Sequence, residues 1–235
     1  MPRKPRLSLP GVHFHALNRA VRRERLFHEA RDYDRFADLL RQASRRIPVS
    51  IVAWCVMPNH AHLVLRPDAH GALSKFMHWV FSVHAQLHRE RRGTSGHVWQ
   101  GRFKSFPAQP DRHLLSVIRY VERNPVRARL VASAEEWPWS SIREREGLPG
   151  WHGLIVAAPV ALPQRWIEYV NAEQAPEELA KLRQSSEKGA PFGEASWARG
   201  TAERLGLEST LRPRGRPRGP GSRRGLSVNL KEKGA

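Results

Sequence analysis

Two apolar runs parted by a single sharp break constrain this chain more than anything else in it. Val49 to Val56 and His60 to Leu65 are separated only by Met57-Pro58-Asn59. Runs of this length around a Pro-Asn break read as two strands joined by a tight turn. The flanks then dictate the architecture. Gly11 to Asn18 alternates as a strand, with Val12, Phe14 and Ala16 set against His13 and His15. Phe36, Leu39, Leu40, Ala43 and Ile47 recur at helical spacing, and Pro48 stops that helix. Leu73, Phe76, Met77, Val80, Phe81, His84 and Leu87 mark a second amphipathic helix, whose end carries Arg89, Arg91 and Arg92 against the negative pole of its dipole. Arg102 to Pro107 reads as a fourth strand. The order β-α-β-β-α-β is that of a ferredoxin-like α+β sheet.

A further helix opens after Pro110-Asp111 with the stripe Leu114, Val117, Ile118 and Val121, and Pro125 predicts its end at Asn124. Beyond Trp137-Pro138-Trp139-Ser140-Ser141 the pattern weakens. Two helices are expected near Trp166 to Lys188 and Glu194 to Leu205. From Arg212 onward Pro, Gly and Arg dominate, as in a segment that stays disordered without a partner. The expected division is a catalytic block over 8–146, a helical C-terminal extension over 147–211 and a basic tail over 212–235.

A formal net charge of +18 points to a polyanionic partner, with nucleic acid ahead of an anionic membrane because no long apolar run stands out. Cys55 is the only cysteine, which excludes an internal disulfide and a cysteine-based zinc cluster. The basic start is followed by no apolar signal segment, so a cytoplasmic, nucleoid-associated protein without a membrane partner is expected.

Chemistry enters through His60-Ala61-His62. Residues i and i+2 of a strand share a face, so both imidazoles emerge together and make half of a metal site. Alone, such a pair is ordinarily the polar face of a half-buried strand. Tyr120 and Asn124, spaced i and i+4, lie about 40° apart at the edge of the last helix's apolar stripe. A tyrosine beside a metal ion can attack a phosphodiester, and an Asn carbonyl can join two imidazoles as a third ligand. His84 and His88 also have metal-pair spacing, but His84 shares an apolar face with Met77 and Phe81 and reads as a core histidine. His13 and His15 form a second His-x-His for which no ligand partner is indicated.

With Tyr120-Val121-Glu122-Arg123-Asn124-Pro125-Val126-Arg127-Ala128, Trp99-Gln100-Gly101-Arg102-Phe103-Lys104-Ser105, Trp137-Pro138-Trp139-Ser140-Ser141 and Asn18-Arg19, the chain resembles the HUH single-tyrosine transposases, in their REP-associated branch. The resemblance is close over roughly residues 10 to 145. It implies that His60, His62 and Asn124 hold Mg²⁺ or Mn²⁺, and that Tyr120 nicks and rejoins single-stranded DNA at REP-type hairpins through a 5′-phosphotyrosine. In insertion-sequence relatives the position of Asn124 is often Gln, one methylene longer, so either helix and sheet approach more closely here or the ligand is weak. Relatives act as dimers or as monomers, and either state is open. The rivals are a replication initiator or relaxase, and a catalytically idle DNA-binding regulator.

DNA contacts are expected from Asn18, Arg19, Arg22 and Arg23 near the first strand, and from Arg102 and Lys104 beside Phe103 and Phe106. Arg119, Arg123, Arg127 and Arg129 surround the tyrosine helix, where they could position phosphates. In the tail, Arg214, Arg216 and Arg218 sit in Pro213-Arg214-Gly215-Arg216-Pro217-Arg218-Gly219-Pro220, which resembles an AT-hook for the minor groove of an A·T-rich duplex. The plain alternative is a basic tail that adds affinity through counterion release.

Overall fold

The computed structural model describes residues 7–212; the AT-hook-like segment lies outside the described residues. Its centre is a four-stranded antiparallel sheet in the order β2-β3-β1-β4. The strands are β1 (His13–Arg19), β2 (Val49–Met57), β3 (His60–Pro67) and β4 (Lys104–Ala108). With α1 (Ala30–Arg46) between β1 and β2 and α2 (Ala72–Arg92) between β3 and β4, this is the expected α+β ferredoxin-like arrangement.

The alternation along the strands divides the core in two. Phe14, Ala16, Trp54, Leu63 and Leu65 face α1 and α2, where they pack with Phe36, Leu40, Phe76 and Val80. Val64, Cys55, Met57 and Phe106 face the other way, onto Leu114, Val117, Ile118 and Val121 of α3 (Arg112–Glu122). That second layer explains why β1 is buried on both faces, His13 and His15 included.

The tyrosine helix does not end where Pro125 predicts. Its α-helical course stops at Glu122, Arg123 forms a turn, and α4 (Asn124–Arg127) follows. Pro125 sits in the first turn of α4, where a missing N–H costs nothing. A short α5 (Ser141–Arg145) follows. The helix expected over Trp166 to Lys188 is two, α6 (Trp166–Asn171) and α7 (Pro176–Lys188), because Pro176 opens the second; α8 (Ala195–Leu205) closes the extension. Arg102 precedes β4 instead of starting it, because Gly101 (φ 46°) turns the chain.

The extension adds to the existing core. Trp166, Val170, Leu182 and Phe192 pack with Val52, Val117 and Val121. The segment Trp137–Ser141 is stitched along β2: the Trp137 indole donates to the Val56 carbonyl (2.9 Å), Val56 donates to the Trp139 carbonyl (2.9 Å), and the Trp54 amide donates to Ser141 Oγ (3.0 Å). Among the described residues, no helix is long and apolar enough to cross a membrane.

Candidate active site

Register brings the candidate residues together on the α3 face of the sheet. His62 lies opposite Leu17 on β1 and Cys55 on β2; His60 lies opposite Arg19 and Met57. Lys104 lies opposite Leu17 on the far side of β1. Side chains of β1, β3 and β4 therefore converge beneath the end of α3.

Each histidine of the pair is held by its Nδ1. Asn59 donates its amide to the Arg23 carbonyl (2.8 Å), which leaves its Oδ1 to accept from His60 Nδ1 at 2.7 Å. His60 is thereby the Nδ1–H form, with a lone pair on Nε2. His62 Nδ1 lies 2.9 Å from His15 Nε2, with the two rings only 14° from coplanar. When His62 donates in that bond, its Nε2 is likewise a free lone pair. Burial pushes His60 down to about 3, helped by Arg19 and Arg127, and holds His62 well below the usual imidazole range, helped by His60 and His15. Both are neutral at physiological pH, the state that ligates a metal. His15, itself held at about 3 by burial and Arg127, is the partner that spacing along one strand could not reveal. Only the β1–β3 register places it diagonally from His62.

Tyr120 on α3 meets this pair edge-on: its ring centroid lies 5.9 Å from that of His62 and 6.0 Å from that of His15. The Arg127 guanidinium covers its ring, 4.0 Å from the centroid. Asn124 is 3% exposed. Its amide nitrogen donates to the carbonyls of Tyr120 (3.0 Å) and Val121 (3.2 Å), and its Oδ1 accepts from Arg127. The oxygen expected to face the histidines is thus engaged by a guanidinium.

Of these, His62, Tyr120 and Arg127 border a cleft of about 430 Å³ whose wall also carries Asn18 and the cations Arg19, Arg23, Arg102, Lys104 and Arg183. Among the described residues Glu187 is the one carboxylate on its wall, so the cleft favours a phosphate chain. Arg183, Ser186 and Glu187 come from α7, a wall that the sequence did not suggest. Arg22 and Arg23 hold left-handed backbone (φ 55° and 61°), uncommon for non-glycine residues, and the Asn59 bond to the Arg23 carbonyl helps pin this turn at the cleft. Asn18 is buried, with its Oδ1 accepting from the Arg19 amide (3.0 Å).

Two of the arginines expected around the tyrosine helix point elsewhere. Arg119 donates to the Ala172 carbonyl (2.6 Å) and stacks on Tyr169; Arg123 donates to the Asn171 carbonyl (3.3 Å). Both clamp the extension to α3. Glu122, 0% exposed, accepts from Ser141 Oγ (2.6 Å), the Trp166 indole (2.7 Å) and Arg145 Nε (3.1 Å). This buried knot sits two residues from Tyr120. His84 packs among Phe27, Phe36 and Trp99, as a core histidine should.

Residues 8–124 match the model of the IS200-like transposase family. A protein of Haemophilus influenzae assigned as a REP-associated tyrosine transposase is 26% identical over 122 residues, covering 47% of this chain and 69% of that protein. A solved REP-associated tyrosine transposase, bound to a REP hairpin, superimposes with a TM-score of 0.50 at 23% identity, covering 66% of this chain and 94% of the other. At that identity the likeness establishes the fold.

Proposed function

The chain belongs to the IS200-like transposase family over residues 8–124, and from that premise we propose that it is a DNA strand transferase that nicks and rejoins single-stranded DNA at REP-type palindromic hairpins. The observation that carries this reading is the meeting of Tyr120 with His62 at the wall of one cationic cleft, within a single chain. One chain then suffices, with its tyrosine used in cis.

His60 has the neutral state and the Nε2 lone pair needed to hold a divalent ion, Mg²⁺ or Mn²⁺; His62 is neutral and presents the same lone pair when its Nδ1–H donates to His15, and Asn124 is the candidate third ligand. Such an ion withdraws charge from a non-bridging phosphate oxygen when bound. Tyr120 attacks the phosphorus, the bond from phosphorus to the 3′-oxygen breaks, and the departing oxygen gains a proton to become a 3′-hydroxyl. The phenol has lost its proton, and the 5′-phosphate is now an ester of Tyr120, ready for the reverse reaction with another 3′-hydroxyl. Arg19, Arg102 and Lys104 on the cleft wall grip flanking phosphates. Mixing the protein with a single-stranded REP-type hairpin and MnCl₂ should give an SDS-resistant protein–DNA adduct that EDTA prevents. An adduct indifferent to EDTA contradicts the metal site. Hairpin binding without any adduct favours the idle regulator instead.

His15 has a defined part in this reading. With His62 in its Nδ1–H tautomer, His15 Nε2 accepts from it and keeps the Nε2 lone pair of His62 available, as partners behind metal-bound histidines do. His15→Phe should weaken Mn²⁺ binding, read by titration calorimetry, by about 10–100-fold. His15→Gln, which restores an acceptor, should recover part of the loss. Unchanged affinity in His15→Phe contradicts this role.

A further inference from the structure

The engagement of Asn124 bears on when the site can assemble. Two bonds from Asn124 Nδ2 to the carbonyls of Tyr120 and Val121 fix the orientation of its amide, so Oδ1 is presented in one direction only. Arg127 occupies that oxygen. A guanidinium and a metal ion crowded onto one buried amide oxygen would repel each other with little water to screen them. Arg127 also has a second use for its charge. It lines the cleft with Tyr120 and His62, its Nη1 is buried with no hydrogen-bond partner among the described residues, and it lies over the ring of the nucleophile. A phosphate entering there offers two anionic oxygens in the bidentate geometry that guanidinium prefers, where the amide offers a single neutral oxygen. Once Arg127 moves to the phosphate, Asn124 Oδ1 is a buried acceptor in need of a donor or cation.

We propose that Arg127 is a latch on the site: it holds the Asn124 oxygen while the cleft is empty and releases it to the histidine pair when a DNA phosphate enters, so that DNA and metal each strengthen binding of the other. This rests on the proposed assignment of His60, His62 and Asn124 as the ligand set, and it extends that assignment to the order of assembly. Arg127 acts here as a positioning residue. Its consequence is that the free protein holds the ion weakly, and the site becomes complete only around its substrate.

The test uses the full chain carrying Tyr120→Phe, which keeps the ring beneath Arg127 but prevents turnover. Free Mn²⁺ is followed by electron paramagnetic resonance, with and without a single-stranded hairpin oligonucleotide. The oligonucleotide should tighten Mn²⁺ binding by about tenfold, within the ordinary range of coupling between sites. Adding Arg127→Met should tighten Mn²⁺ binding without DNA by a similar factor and remove most of the response to DNA. Arg127→Ala serves the same purpose if Met disturbs packing over the ring. Removing a positive charge favours any nearby cation, so the decisive comparison repeats the substitution in an Asn124→Ala background, where the latch has nothing to hold. There the gain from Arg127→Met should shrink to the through-space remainder. An equal gain with and without Asn124 overturns the latch and leaves the histidine site standing. Mn²⁺ binding that is absent with DNA, or unaffected by His60→Ala and His62→Ala, overturns the metal reading and the latch with it.

Discussion

Tyr120→Phe should eliminate the covalent protein–DNA adduct and lower single-turnover cleavage on the order of a thousandfold or more, the scale on which loss of a nucleophile acts. The substitution removes one oxygen and nothing else. The ring keeps its edge contacts with His15 and His62 and its place under Arg127, so the architecture of the cleft persists. In the proposed function the cations of the cleft hold the hairpin, so binding of a hairpin oligonucleotide should stay within about twofold of wild type, as expected when affinity comes from phosphate contacts. A gel-resolved cleavage assay beside a binding titration separates the two effects. Residual adduct in the variant removes Tyr120 from its assigned role.

The second large effect is on stability. Glu122→Ala should destabilise the protein by about 3–5 kcal/mol, because it leaves the buried Arg145 guanidinium without its carboxylate. It also removes the acceptor of the Trp166 indole and of Ser141, which join the tyrosine helix to α6 and α5. For a protein of this size the melting temperature should fall by roughly 10 °C, at about 2–4 °C per kcal/mol. Arg145 also donates to the Val52 carbonyl (2.7 Å) and so cannot simply swing out to water. Glu122→Gln, which retains an acceptor oxygen, should fall between the two. A shift of less than about 2 °C for the alanine variant, measured by circular dichroism, contradicts the view that this knot secures the end of α3.

The α+β sheet was readable because its signals are local. The break at Met57-Pro58-Asn59, the helical stripes and Pro48 each act within a few residues, and together they specify order and hence topology. The placement of His60 and His62 on one face of a strand and of Tyr120 on a helix was readable for the same reason. What could not be read is whatever depends on contact across elements. The hydrogen bond between His15 and His62 needs the β1–β3 register, and the α7 wall needs the extension to fold back over the cleft. Arg119 and Arg123 looked like phosphate ligands because their charge was visible, while the carbonyls of Ala172 and Asn171 that receive them lie about fifty residues away in sequence. Asn124 shows the same limit at short range. Its position beside Tyr120 follows from helical spacing, but the Arg127 donor that meets its oxygen depends on the turn at Arg123.

The chain contains three tyrosines, Tyr33, Tyr120 and Tyr169, so the attacking residue can be identified directly. Tyr33 is buried beneath Trp139, and Tyr169 is covered by Arg119. The decisive measurement is mass spectrometry of peptides from the adduct formed with a single-stranded hairpin and MnCl₂. The DNA should be attached through a 5′-phosphate to Tyr120. Attachment to Tyr33, to Tyr169, to another residue or through a 3′-phosphate would contradict it.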